Sequence, residues 1–174
     1  MKLYHGSNVI VEIPKILKPV KALDFGAGFY LTTDFEQAKK WSILKTERSG
    51  IGRPTVSVYE ILEEDMKKLC ILKFDSANKN WLEFVSMNRK NKIIEENSDI
   101  IIGPVANDNT MPVITLYLRG DYDVNEALKR LLPQKLKDQI VFKNEKSLSY
   151  LKFVEVINIW KIIWCIFLIT MIKK

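Results

Sequence analysis

The chain has 174 residues, 47% hydrophobic and 28% charged, with only 7 Gly and 6 Pro; that length suits about one domain, and the composition excludes intrinsic disorder and collagen-like repeats. Lys and Arg number 27 against 21 Asp and Glu, giving +6 with the lone histidine neutral, a mild excess that permits an anionic ligand without specifying nucleic acid. One histidine rules out His-rich zinc sites and two-histidine acid/base schemes, and Cys70 and Cys165 are too far apart in sequence to form a metal-ligand spacing or a disulfide framework. The expectation is a reducing, cytoplasmic setting with no metal, and Met1 to Ser7 is too short and polar to read as a secretory signal.

Leu3-Tyr4-His5-Gly6-Ser7 reads as a short strand ending in turn residues, followed by an extended apolar piece, Val9 to Pro14, stopped by proline. Asp24 to Thr33 places Gly26 and Gly28 before the aromatic run Phe29-Tyr30, as a tightly turned loop feeding a strand would. Thr33-Asp34 then predicts an N-cap with Glu36 in the first turn, and Phe35, Ala38, Trp41 and Ser42 fall on one helical face. Pro54 to Ile61 alternates apolar and polar residues, predicting a half-buried strand, and Leu69 to Phe74 predicts another. Asn80 to Arg89 reads as a helix with Trp81, Phe84 and Val85 inward, and Lys90 to Ser98 as a surface loop. The continuous apolar run Asp99 to Val105, closed by Gly103-Pro104, predicts a buried central strand. Asn125 to Leu132 predicts a helix stopped by Pro133, Gln139 to Phe142 a short strand, and Asn144 a cap for a helix through Leu148 and Leu151. The class is α+β without internal repeats. The apolar run from Ile162 to Ile172 would span only about 16 Å as a helix, near half a hydrocarbon core. It admits three readings: an element packed on the domain, a membrane-seeking tail with Trp160 and Trp164 near an interface, or an altered gene end; membrane association is the less favoured.

Several residues have both a bland and a chemical reading. His5 is either a satisfied histidine near a terminus or a ligand-orienting donor at a strand edge. Tyr30 alone would pass for core, yet glycines at 26 and 28 beside that ring, with Thr32 beyond it, let a backbone approach a flat ligand while the aromatic stacks on it. Asn107 and Asp108 emerge at the end of a buried strand, where they either form a turn or touch a ligand. Arg89, beside Asn88, either clamps a pyrophosphate or is solvated.

Tyr4-His5-Gly6-Ser7, followed by Gly26-Ala27-Gly28-Phe29-Tyr30-Leu31-Thr32 and a helix with Ala38 and Trp41, resembles the ADP-ribosyltransferase superfamily in its His-Tyr-Glu branch, shared by diphtheria toxin and the poly(ADP-ribose) polymerases. Within that branch it is most similar to a family of small, uncharacterised bacterial proteins, the likeness also taking in Phe84-Val85, Asn88-Arg89, Gly103 to Asp108 and Gln139 to Phe142. It covers residues 1–155 as an ADP-ribosyltransferase-like domain with a split β-sheet core and flanking helices, and leaves 156–174 as an apolar tail. The resemblance implies NAD⁺ as co-substrate. His5 would hydrogen-bond the ribose 2′-hydroxyl, the Gly6 backbone would hold the carboxamide, and Tyr30 would stack on the pyridinium ring. Tyr4, Ser7, Gly28, Thr32, Asn107 and Asp108 would complete the cofactor site. The branch's polymer builders place a glutamate where this chain has Gln139, or Asp138 if the register is one residue off. A glutamine can bond a hydroxyl but cannot act as a base, so the resemblance implies transfer of one ADP-ribose to a protein or nucleic acid rather than chain elongation. It also suggests a bacterial toxin neutralised by an antitoxin partner. Rival readings are an NAD glycohydrolase, a non-catalytic module that binds NAD or ADP-ribose, and a mildly basic nucleic-acid-binding domain, which would need a clustered Lys/Arg stripe that the sequence lacks.

Overall fold

A computed structural model describes the chain apart from residues 18, 20, 21, 91–93, 95 and 161–174. In chain order the elements are β1 (Lys2–Ser7), β2 (Phe29–Leu31), α1 (Phe35–Ser49), β3 (Thr55–Glu60), α2 (Glu63–Met66), β4 (Ile71–Lys73), α3 (Lys79–Arg89), β5 (Ile100–Pro104), α4 (Met111–Arg119), α5 (Val124–Leu131), β6 (Asp138–Phe142), α6 (Glu145–Leu148) and β7 (Lys152–Asn158). The fold is α+β, with two separate sheets, of order β1-β3-β7 and β2-β6-β5-β4. Contacts divide the chain into two compact units: Met1–Pro14 with Leu31–Met66 and the segment from Tyr150, and Lys15–Tyr30 with Lys67–Ser149.

In the first unit β3 pairs antiparallel with β1 on one side and β7 on the other. That central place overturns the half-buried reading of Pro54 to Ile61, because Thr55 to Tyr59 are all buried. The polar members of the alternation are inside because they have partners. Thr55 Oγ1 donates to the Val9 carbonyl at 3.0 Å and the Val11 N–H donates to Ser57 Oγ at 3.1 Å, while the Tyr59 hydroxyl donates to the Val11 carbonyl. The apolar piece after β1 is thus stitched to β3 as a loop rather than a strand, with Val9, Ile10 and Ile13 exposed. Helix α1 begins where Asp34 accepts from the Gln37 N–H at 2.7 Å and ends at Gly50, φ +66°. Its buried face carries Ala38 and Ser42. Trp41, expected on that face, is 51% exposed under the Arg48 guanidinium, since one residue is about 100° of helix rotation away from Ser42. Ile159, just past β7, is fully buried with Ala38 and Val56, so the expected domain end at residue 155 falls inside β7, and the first residues assigned to a tail belong to this unit. The apolar run 162–172 lies outside the described residues.

In the second unit β5 is an interior strand, parallel to β4 and antiparallel to β6, with Ile100 and Ile101 fully buried. The core gathers Phe25, Trp81, Leu82, Val85, Ile114, Leu131 and Val141 around Ile101. Asn78 caps α3 by accepting from the Trp81 N–H at 3.0 Å, and the Trp81 indole donates to the Pro104 carbonyl at 2.9 Å, a buried Trp N–H with the partner it needs. Helix α6 is capped by Asn144 as expected but stops at Leu148, short of Leu151. Much of the expected surface loop 90–98 lies outside the described residues, and its last residue, Ser98, is buried. The carboxylate of Asp99 accepts from the Cys70 N–H, the Asn144 amide and the Lys146 ammonium at 2.8–2.9 Å. Those donors, Lys146 foremost, lower its pKa from an ordinary 3.8 to about 2. Cys70, expected among apolar neighbours, is exposed. No helix of the described residues is long and apolar enough to cross a membrane.

Candidate functional site

Within the first unit the residues from Tyr4 to Ser7 are held by backbone. Tyr4 and Thr32 exchange both backbone hydrogen bonds, at 2.8 and 3.1 Å, and Thr32 Oγ1 accepts from the Asp34 N–H at 3.1 Å at the start of α1. His5 is half-buried and sits opposite Ser57 in the β1–β3 ladder. Side chains alternate along a strand. Tyr4 lies edge-on to Phe35 of α1 with ring centroids 5.6 Å apart, and a Cβ on Gly6 would lie 2.0 Å from the Ala38 carbonyl oxygen. Positions 4 and 6 therefore face α1, while His5 points to the opposite face of the sheet with Leu3 and Ser7. Gly6 is required because the helix backbone rests on it. Ser7 is buried, its carbonyl accepting from Thr55 Oγ1 at 3.3 Å.

The second unit holds the glycine loop. Gly26 adopts φ +71°, a conformation that favours glycine. Its carbonyl accepts from the Tyr30 hydroxyl at 2.7 Å, which in turn accepts from the Phe25 N–H at 3.1 Å. Tyr30 thus closes the loop that precedes it. Burial pushes its phenol pKa well above the ordinary range, against the opposing pull of the Phe25 N–H, so Tyr30 works as a neutral donor and ring surface rather than a base. Gly28 is compelled by packing, since a Cβ there would lie 2.3 Å from Val141 Cγ1 and 2.9 Å from the Phe142 carbonyl oxygen. Gln139 is buried, paired with Gly103, and its side-chain amide donates to the Pro104 carbonyl at 3.4 Å. It shares a face of β6 with Val141, a member of the core cluster against which Tyr30 packs; Asp138 falls on the other face.

Asn107 does what a turn residue does. Its side-chain oxygen accepts from the Asn109 and Thr110 N–H groups at 3.0 and 3.1 Å, and its carbonyl accepts from Met111 at the start of α4. Asp108 is exposed at the rim of an open groove with Met111, Pro112, Thr115 and Leu116. Arg89, expected either to clamp a pyrophosphate or to be solvated, is paired with a carboxylate. Its Nε and Nη2 donate to Asp24 Oδ1 at 2.8 and 2.5 Å, and Asp24 Oδ2 also accepts from the Ala106 N–H at 3.3 Å. Asp24 is almost fully buried and needs that partner. The sequence reading missed Lys143, whose ammonium donates to the Phe25 carbonyl at 2.6 Å inside the glycine loop. Burial lowers its pKa, with the negative charge of Glu96 pulling the other way. Among the described residues no group of three or more His, Cys, Asp and Glu is arranged to hold a metal ion.

Residues 1–153 match a family model described as a protein of unknown function, DUF3990. The chain belongs to that family. No curated protein and no solved structure matches it. The DUF3990 match spans both units, taking in Tyr4 to Ser7, the Gly26–Tyr30 loop and β6, and ends at Phe153 within β7.

Proposed function

We propose that this DUF3990 chain is an NAD-dependent mono-ADP-ribosyltransferase that breaks the nicotinamide glycosidic bond and passes ADP-ribose to a macromolecule, protein or nucleic acid. In the reaction the C–N bond to nicotinamide breaks with its electron pair going to the ring nitrogen, which neutralises the pyridinium. The acceptor's nucleophile bonds the anomeric carbon and releases its proton to solvent. The transition state is oxocarbenium-like, so rate comes from fixing ribose and ring and from polar contacts that strengthen as charge develops. His5 donates to the ribose hydroxyl, the Gly6 backbone holds the carboxamide, Tyr30 offers its ring to the pyridinium, and Gln139 bonds a ribose hydroxyl without acting as a base. Tyr4, Ser7, Gly28, Thr32, Asn107 and Asp108 belong to the remainder of the proposed NAD site. The observation that supports this reading most is the reciprocal Tyr4–Thr32 pairing, which joins the strand of His5 to the segment two residues past Tyr30, the two stretches that carry the resemblance. The setting proposed is the cytoplasm of a bacterium, as a toxin held in check by an antitoxin.

The test is release of nicotinamide from NAD⁺ by the purified protein. His5→Ala and Tyr30→Ala should each lower turnover by about a hundredfold or more; unchanged turnover in both removes the assignment. The hydrogen bond of the buried Gln139 to Pro104, at a position where the polymer-building enzymes of the branch have an acid, favours one second reading, a module that binds NAD or ADP-ribose without cleaving it. Calorimetry would then show binding with no nicotinamide released.

A further inference from the structure

Two cations border the glycine loop, and they differ in what neutralises them. Arg89 is matched by the buried carboxylate of Asp24. Lys143 is half-buried, and among the described residues its ammonium has one hydrogen bond, to the Phe25 carbonyl at 2.6 Å. No carboxylate of the described residues reaches it at ion-pair distance, Glu96 acting on it only through space. An ammonium has three N–H donors, so two remain for water or for a ligand. Gly26 lets that nitrogen come close to the loop, because a Cβ there would stand 3.4 Å from Lys143 Nζ and 2.9 Å from Asn88 Oδ1. Withdrawal from water without a counter-ion is unfavourable for a cation, and an incoming anion relieves that cost where a neutral ligand would not.

We propose that Lys143 is an anion-binding residue of the Gly26–Tyr30 loop, its ammonium anchored by the Phe25 carbonyl and donating its remaining N–H groups to a phosphate oxygen of a pyrophosphate-bearing ligand. The inference deepens the NAD reading and rests on it for the identity of that ligand. It replaces Arg89, whose fork is taken by Asp24, with a point charge of the kind that commonly binds phosphate.

The experiment is titration calorimetry of the full chain with ADP-ribose and with inorganic pyrophosphate, at several salt concentrations, for wild type, Lys143→Met and Lys143→Arg, with thermal unfolding followed for each. Lys143→Met should weaken both ligands by about tenfold or more and flatten their salt dependence, and Lys143→Arg should stay within about threefold of wild type. Wild type binding pyrophosphate through Lys143 but neither ADP-ribose nor NAD⁺ keeps the anion site and discards the dinucleotide. A folded Lys143→Met that binds ADP-ribose as wild type does overturns the inference and leaves the NAD reading standing, and a wild type that binds neither phosphate probe overturns it as well. Should Lys143→Met fail to fold, reductive methylation of wild type decides: pyrophosphate should slow modification of Lys143 relative to the other lysines, and equal rates overturn the inference.

Discussion

The strand of His5 and the loop of Tyr30 are held in place by different forces. Around His5 the fixing contacts are backbone to backbone: the β1–β3 ladder, the Tyr4–Thr32 exchange, and a helix lying directly on Gly6. Around Tyr30 they are made by side chains, three of them charged: Arg89 on Asp24, Lys143 on the Phe25 carbonyl, and the Tyr30 hydroxyl on Gly26. A site element held by backbone is sensitive to volume and indifferent to charge, whereas one held by side-chain ions is sensitive to charge as well, even where packing also limits volume, as at Gly28. The first kind fixes the direction in which a side chain points; the second can change its hydrogen bonds when a ligand arrives.

Volume should break the first region most sharply. Gly6→Ala puts a methyl group 2.0 Å from the Ala38 carbonyl oxygen, so α1 must lift from β1. The expected cost is about 3 kcal/mol, read as a lower urea midpoint without a change of slope. Charge should break the second. Arg89→Met leaves the buried Asp24 carboxylate, among the described residues, with only the Ala106 N–H, at an expected cost of about 2 kcal/mol. Pairing it with Asp24→Asn should recover part of that loss, and a double-mutant cycle with no coupling would show that the ion pair does not hold the loop. The smallest effect is expected of Asp99, whose carbonyl accepts from the Lys143 N–H at 2.9 Å and whose carboxylate charge serves the β-sheet. Its folded pKa of about 2 lies below the ordinary 3.8, so its contribution is fully present above about pH 4 and fades as pH falls toward 2. Wild type minus Asp99→Asn stability, measured from urea midpoints across that window, should shrink with acid. A constant difference would assign the stabilisation to the neutral hydrogen bonds alone.

Much of this was legible in the sequence where local chemistry and tertiary packing agree. Asp34 and Asn144 sit at helix starts and the Asp99 to Val105 run holds a central strand, because caps and apolar runs express short-range physics. Reading failed where a neighbour distant in sequence decides. Thr55 and Ser57 read as solvent-facing until Val9 and Val11 arrive to bond them. Trp41 reads as core because apolar type suggests burial, yet the face of α1 is set by what lies beneath Ala38. Helix α4 escaped notice because Pro112 and the β-branched Val113, Ile114 and Thr115 are weak helix formers and its start is organised from Asn107. Strand β7 was lost by merging into the apolar tail. Of the site, the glycines and Tyr30 stand out by spacing, but a single lysine after a strand carries no sign of whether it will be buried or what it will meet. Lys143 and the capture of Arg89 by Asp24 therefore became visible only once the chain was folded.

The partner of β3 on its far side follows it by more than ninety positions. During vectorial synthesis the β1–β3 pair must therefore wait, one flank of its middle strand bare, until β7 has left the ribosome, while the intervening stretch from Lys67 to Ser149 can condense earlier. Unsatisfied strand flanks recruit other chains, so a ribosome stalled or a message cut ahead of Lys152 would release a product prone to self-association rather than a merely shortened protein.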